Sequence, residues 1–200
     1  MDKKIITISR QCGSGGHTIG QEVAKRLGIP FYDKKIVKTV SERSGFSEEF
    51  VEEQGEYSSH SFLYTIYAGS INKDSTPLPD QIAAFQTELI KELAEKESCV
   101  IVGRGADYVL RDRPDCLHVF IYGNIEDRKK RIASEHGISE KDAETLVLSR
   151  DKKRARHYKC YTDREWGIAD NYNICLDSSF LGIEACINFI IDCVQRNNSR

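Results

Sequence analysis

Residues 5–20 read IITISRQCGSGGHTIG. Ile5 to Ser9 is rich in β-branched residues and bounded by polar ones, the pattern of a short buried strand. Gly13, Gly15, Gly16 and Gly20 follow, and a helix opens near His17. Ile19, Val23, Ala24 and Leu27 share one face of that helix, and Gly28 closes it. Glycines let a backbone turn sharply and expose its N–H groups. The helix after the turn brings its positive N-terminal end to the same place. Strand, glycine turn and helix together therefore predict a cradle for phosphate oxygens, built from Gly13, Ser14, Gly15, Gly16, His17 and Thr18.

The usual P-loop pattern is GxxxxGK[ST], whose lysine reaches the outer phosphates. Aligning Gly13 and Gly15 with its later glycines puts Arg10 at the first glycine and Gly16 at the lysine. Arg10 or His17 is then the candidate substitute cation. The plain alternative for His17 is a solvent-facing residue of the first helical turn.

Downstream, Pro30 to Tyr32 reads as a short second strand. Asp33 is the candidate N-cap of a helix reaching about Ser44. Residues 45–77 lack strand signals and carry the acidic stretch SEEFVEEQGE. They read as a small helical lobe or as a long connection. Asp80 to Lys96 has helical spacing. Strands follow at Cys99 to Gly103 and Leu117 to Tyr122, then helices at about 124–136 and 139–158. Tyr172 to Asp177 is a last strand and 180–195 a closing helix. Strands separated by helices predict a parallel sheet covered on both faces.

Composition narrows the function classes. The chain has 200 residues with 29 basic and 31 acidic side chains, a formal charge of −2. No global basic field favours a nucleic-acid polymer. Its seven cysteines are odd in number and none has CxxC spacing, which argues against a zinc site or disulfide framework and for a reducing, cytoplasmic setting. No apolar run approaches the roughly 18 residues of a membrane span, and the N-terminal residues do not read as a signal peptide.

Further residues carry candidate chemistry. Asp33 follows the second strand and can cap a helix, face an acceptor phosphate or orient Mg²⁺. Arg104 follows the third strand, at the edge where open α/β sheets gather functional groups, and a guanidinium there can grip a phosphate with two bonds. Its plain alternative is a solvated helix-start arginine. Arg150, Arg154 and His157 stand at i, i+4 and i+7 on one helical face. Such crowded cations read either as a solvated face or as an anion site. Lys129, Lys130 and Arg131 read as surface. Trp166 either stacks on a base or pins its loop to the core.

Four segments, ISRQCGSGGHTIGQEVAKRLGIPFYD from Ile8, VIVGRGADYVL from Val100, LSRDKKRARHYKCYTDREWG from Leu148 and NYNICLDSSFLGIEACINFII from Asn171, resemble the cytidylate-kinase-like family of nucleoside monophosphate kinases. The resemblance spans nearly the whole chain. It implies a three-layer P-loop kinase fold with a five-stranded parallel sheet. Residues 1–44, 78–138 and 168–200 would form the core, 45–77 an inserted acceptor lobe, and 139–167 a region containing the lid. Proper cytidylate kinases carry the P-loop lysine and a GRD after the third strand, where this chain has Gly103-Arg104-Gly105. Arg154 and His157 stand where their lid has an aspartate and a second arginine.

The function expected is an ATP-dependent phosphotransferase acting on a nucleoside monophosphate, CMP-like or a similar small acceptor. Arg10 and Gly13 to Thr18 would hold ATP. Thr18 and Asp33 would contact Mg²⁺, and Asp33, Arg104, Arg150 and Arg154 would serve catalysis. The expected partners are small nucleotides, with no membrane. A nucleotide-binding protein without kinase activity is the second reading, because position 16 lacks lysine. A dinucleotide oxidoreductase is the third, because Asp33 lies twenty residues beyond Gly13.

Overall fold

The computed structural model describes residues 4–54 and 78–196. Five parallel strands form one sheet in the order β2-β3-β1-β4-β5. They are β1 (Ile5–Arg10), β2 (Phe31–Tyr32), β3 (Cys99–Val102), β4 (Cys116–Tyr122) and β5 (Ile174–Asp177). β1 is central and pairs with β3 on one side and β4 on the other, so Ile5 lies between Cys99 and Cys116. A central parallel strand buries both faces, and IITIS is accordingly uncharged and buried throughout, with Thr7 and Ser9 hydrogen-bonded to His118 and Asp107.

The two faces are covered separately. Ile6, Ile8, Val100, Val102, Val119 and Ile121 pack under α1 (Gly16–Leu27) and α9 (Ile183–Arg196). Ile5, Cys99 and Ile101 point the other way, under α2 (Lys34–Ser44), α3 (Glu48–Gln54) and α4 (Leu78–Lys96). The expected lobe at 45–77 is represented by α3, whose Val51 is fully buried in that second core. Residues 55–77 lie outside the described part. A short α5 (Ala106–Val109), which sequence periodicity did not reveal, follows β3.

α6 (Ile125–His136) and α7 (Glu140–Thr162) follow β4 and pack on each other through Ile132, Ala143 and Val147, with Cys12 from the glycine turn enclosed between them. Their N-caps are Asn124 and Ser139, which accept from the N–H groups of Asp127 and Asp142. α7 is longer than the spacing predicted and runs on to Thr162. β5 starts two residues later than expected, after a 3₁₀ turn at Ala169–Asn171. The closing helix is divided at Gly182 into α8 (Ser178–Leu181) and α9. Among the described residues no helix is long and apolar enough to cross a membrane.

Candidate active site

The carboxyl ends of β1 and β3 open into a cleft of about 860 Å³. Its floor is the glycine turn. Gly13 and Gly15 are left-handed, with φ of 74° and 79°, and α1 begins at Gly16. The first N–H groups of a helix lack intrahelical partners, and here Gly15, Gly16, His17 and Thr18 line the cleft. Ser14 departs from expectation. It is fully buried, and its hydroxyl donates to the Gln11 carbonyl at 2.9 Å, so the side chain braces the turn from behind.

The turn is held from outside by three residues. The Cys12 N–H donates to Asp151 Oδ1 at 2.7 Å, and Asp151 Oδ2 accepts from buried Arg128 at 2.7 Å. Burial pushes the Asp151 carboxyl above its ordinary range, while the Cys12 N–H and Arg128 pull it down. Arg131 donates to the Gly13 carbonyl and lines the cleft. The reading of 129–131 as surface is therefore corrected at Arg131. Lys129 is ion-paired with Glu126 and Glu144 instead. The sequence did offer one signal for Asp151, a lone acid inside the basic run 150–156.

Asp33 occupies the N-cap position of α2, but its carboxylate accepts no capping hydrogen bond. It turns into the cleft instead, 3.2 Å from His17 Nε2 and 4.0 Å from Arg10 Nη2. The side-chain capping reading is thus set aside, while His17 stays solvent-exposed at the rim of the cleft, as its plain reading expected. His17 also meets Phe31 edge-on at 5.4 Å. Thr18, exposed, lines the same wall.

Arg104 lies in a left-handed run, with φ of 74°, 58° and 63° at Gly103, Arg104 and Gly105. A left-handed arginine is strained by about 1–2 kcal/mol, and such strain concentrates at functional sites. Arg104 borders the cleft and also a neighbouring cavity of about 350 Å³ reached from α4 and α5. His157 and Tyr158 of α7 complete this shared wall. The Tyr158 hydroxyl donates to Asp107 at 2.8 Å, and Ser9 donates to the other Asp107 oxygen at 2.9 Å. This buried bridge between β1, α5 and α7 was not read from the sequence. Burial pushes the Asp107 carboxyl up, against its two hydroxyl donors. The Nε2 of His157 is enclosed without a hydrogen-bond partner, and burial, with the Arg104 charge, drops that ring to about 3.

Arg150, Arg154 and His157 share one helical face, and all three line the cleft. Arg154 donates to the Arg10 carbonyl at 3.1 Å. Trp166 packs edge-on against Phe120 at 5.4 Å, which satisfies the pinning role, while still bordering the cleft. Among the described residues, seven arginines and lysines line the cleft against three carboxylates. Low-dielectric walls of one sign concentrate an oppositely charged ligand, so the cleft suits a polyanion. No group of three or more potential metal ligands occurs among the described residues. The oxygens of Asp33 and Thr18 line the cleft, and oxygen is the donor type that Mg²⁺ takes alongside substrate phosphates.

Comparison with known proteins agrees with this architecture. Residues 5–180 match the cytidylate kinase-like family. A cytidylate kinase of Archaeoglobus fulgidus is 28% identical over 196 residues, covering 95% of this chain and 94% of its own. One from Pyrobaculum aerophilum is 24% identical over 189 residues, covering 94% and 91%. A solved structure of an uncharacterized protein from Eubacterium ventriosum superposes with a TM-score of 0.74 at 28% identity, covering 96% of this chain and 99% of that one. A shikimate kinase from Bacteroides thetaiotaomicron gives 0.54 at 16% identity, covering 96% and 98%, a likeness of fold. Family membership sets aside the dinucleotide reading of Gly13, Gly15 and Asp33. With a match over most of its length, a five-stranded parallel sheet and a glycine cradle in the expected place, the chain belongs to the cytidylate kinase-like family.

Proposed function

We propose that this protein is an ATP-dependent phosphotransferase whose acceptor is a nucleoside monophosphate, CMP-like or similarly small. One observation carries the reading. The phosphate cleft and the second cavity share a wall made of Arg104, His157 and Tyr158. Phosphoryl transfer demands two substrates held in line with their charge neutralised, and little covalent chemistry from the protein. Two adjoining cavities with an arginine at their junction meet that demand.

In this reading the N–H groups of the glycine turn and α1 hold the triphosphate. Arg104 grips the acceptor phosphate from the junction. Arg150 and Arg154 face the transferring group from α7, and residues 139–167 act as the lid that excludes water. Asp33 and Thr18 would hold Mg²⁺, which supplies charge neutralisation at the phosphates when bound. Asp33 also keeps His17 and Arg10 directed into the cleft. The second reading, nucleotide binding without transfer, draws support from Gly16 standing at the lysine position.

Calorimetry and a coupled assay separate these outcomes. A charged hydrogen bond contributes about 1.5–3 kcal/mol, so Arg104→Ala should weaken CMP binding by roughly 10- to 100-fold. Binding of Mg-ATP should change far less. Equal loss for both ligands would move Arg104 out of the acceptor role. Absence of ADP release with any nucleoside monophosphate would leave only the binding reading.

A further inference from the structure

Gly16, at the start of α1, packs directly against Arg10, at the end of β1. A Cβ added to Gly16 would lie 2.5 Å from Arg10 Cβ and 2.9 Å from Arg10 Cγ. Real Cβ atoms do not approach other heavy atoms that closely, so any side chain at 16 displaces the Arg10 stem from its present path. The far end of Arg10 makes the same demand on β3's end. A Cβ on Gly103 would overlap Arg10 Nη1 and come within 3.0 Å of Cζ. The arginine therefore lies in a groove that two glycines create, one at the start of α1 and one after β3. Its guanidinium emerges on the cleft wall near Asp33, with Nη2 4.0 Å from Oδ1.

We propose that Arg10 is the phosphate-binding cation of this loop, relocated from position 16 to the end of β1, and that Gly16 and Gly103 are glycine to make room for it. The inference rests on reading the cleft as a triphosphate site. A lysine at 16 and the observed Arg10 exclude each other sterically, so the chain carries one cation there by either route. An arginine offers two parallel N–H groups to a phosphate where lysine offers a point charge. Its longer, flatter side chain suits an origin one strand residue behind the turn. Asp33 then has a defined task, holding the guanidinium in place until phosphate oxygens compete for it.

A purely structural Arg10–Asp33 pair makes different predictions from a relocated cation. The test measures Kd by calorimetry for a non-hydrolysable Mg-ATP analogue and for adenosine, with melting temperature recorded for each variant. Arg10→Ala should weaken the triphosphate analogue by about 10- to 100-fold and leave adenosine nearly unchanged. Gly16→Lys alone, with Arg10 retained, should lower the melting temperature and weaken the analogue. The double variant Arg10→Gly with Gly16→Lys, which restores the first glycine and the lysine of the usual pattern, should bind the analogue at least about tenfold more tightly than Arg10→Ala. Should Gly16→Lys fail to fold, Arg10→Lys serves in its place and should recover part of the affinity lost in Arg10→Ala. Unchanged analogue affinity in Arg10→Ala overturns the proposal. So does a folded double variant that binds no better than Arg10→Ala. If the unaltered chain does not bind the analogue at all, the triphosphate reading of the cleft falls with it.

Discussion

At the scale of single residues, the glycine turn distinguishes two kinds of close approach. Gly13 and Gly15 both have left-handed backbones, which cost an L-residue about 1–2 kcal/mol. Their surroundings differ. A Cβ on Gly13 would lie 2.5 Å from the backbone carbonyl oxygen of Arg128, which cannot move without shifting α6. A Cβ on Gly15 would clash with the terminal methyl of Ile183, which can rotate, and would otherwise make ordinary contacts. Gly13→Ala should therefore lose about 1–3 kcal/mol more stability than Gly15→Ala, the usual cost of overpacking. Urea denaturation of the two variants checks this, and equal losses would count against it. The positions of these glycines were legible from IITISRQCGSGGHTIG. What each one avoids was not, because Arg128 and Ile183 arrive from more than a hundred residues away in sequence.

At the scale of elements, α7 is the brace of the site. Asp151 ties it to the Cys12 N–H, Arg154 ties it to the Arg10 carbonyl, and Tyr158 ties it to Asp107. Asp151 also forms an ion pair with Arg128, whose side chain is only 5% exposed. Removing one member of a buried pair leaves an uncompensated charge, at about 3–5 kcal/mol. Asp151→Ala should lose about that much in chemical denaturation. Adding Arg128→Met should recover most of it, since an apolar pair of similar volume is often tolerated. A double variant as unstable as Asp151→Ala would show that the Cys12 contact, not the ion pair, sets the cost. The helical face of Arg150, Arg154 and His157 was readable from spacing alone. Its target was not, since helical periodicity fixes which residues share a face and leaves open what that face meets.

At the scale of the whole molecule, the two cavities make a titratable boundary. The folded state holds His157 near 3, well below its ordinary 6.5, through burial first and the Arg104 charge second. Between those values the unfolded chain binds a proton that the folded chain refuses. This group's contribution is therefore intact above about pH 6.5 and is lost as the pH falls. Linkage sets the slope at up to ~1.4 kcal/mol per pH unit for one proton. The raised carboxyls Asp107 and Asp151 work in the opposite direction, so the comparison with His157→Gln isolates the histidine. Between pH 6 and 4 the unfolding free energy of the unaltered chain should fall more steeply than that of the variant, by about that slope. Parallel curves would show that His157 is protonated in the fold. The sequence by itself determined the layered sheet, because buried parallel strands and amphipathic helices are written in local periodicity. It also determined the glycine turn, because glycines between a first strand and a first helix let the backbone turn sharply there. Only the tertiary structure decided that Asp33 faces the cleft rather than its own helix, that Arg131 belongs to the site, and that Arg10 fills the space a lysine at 16 would need. Those outcomes depend on contacts between segments distant in the chain, and only packing brings them together.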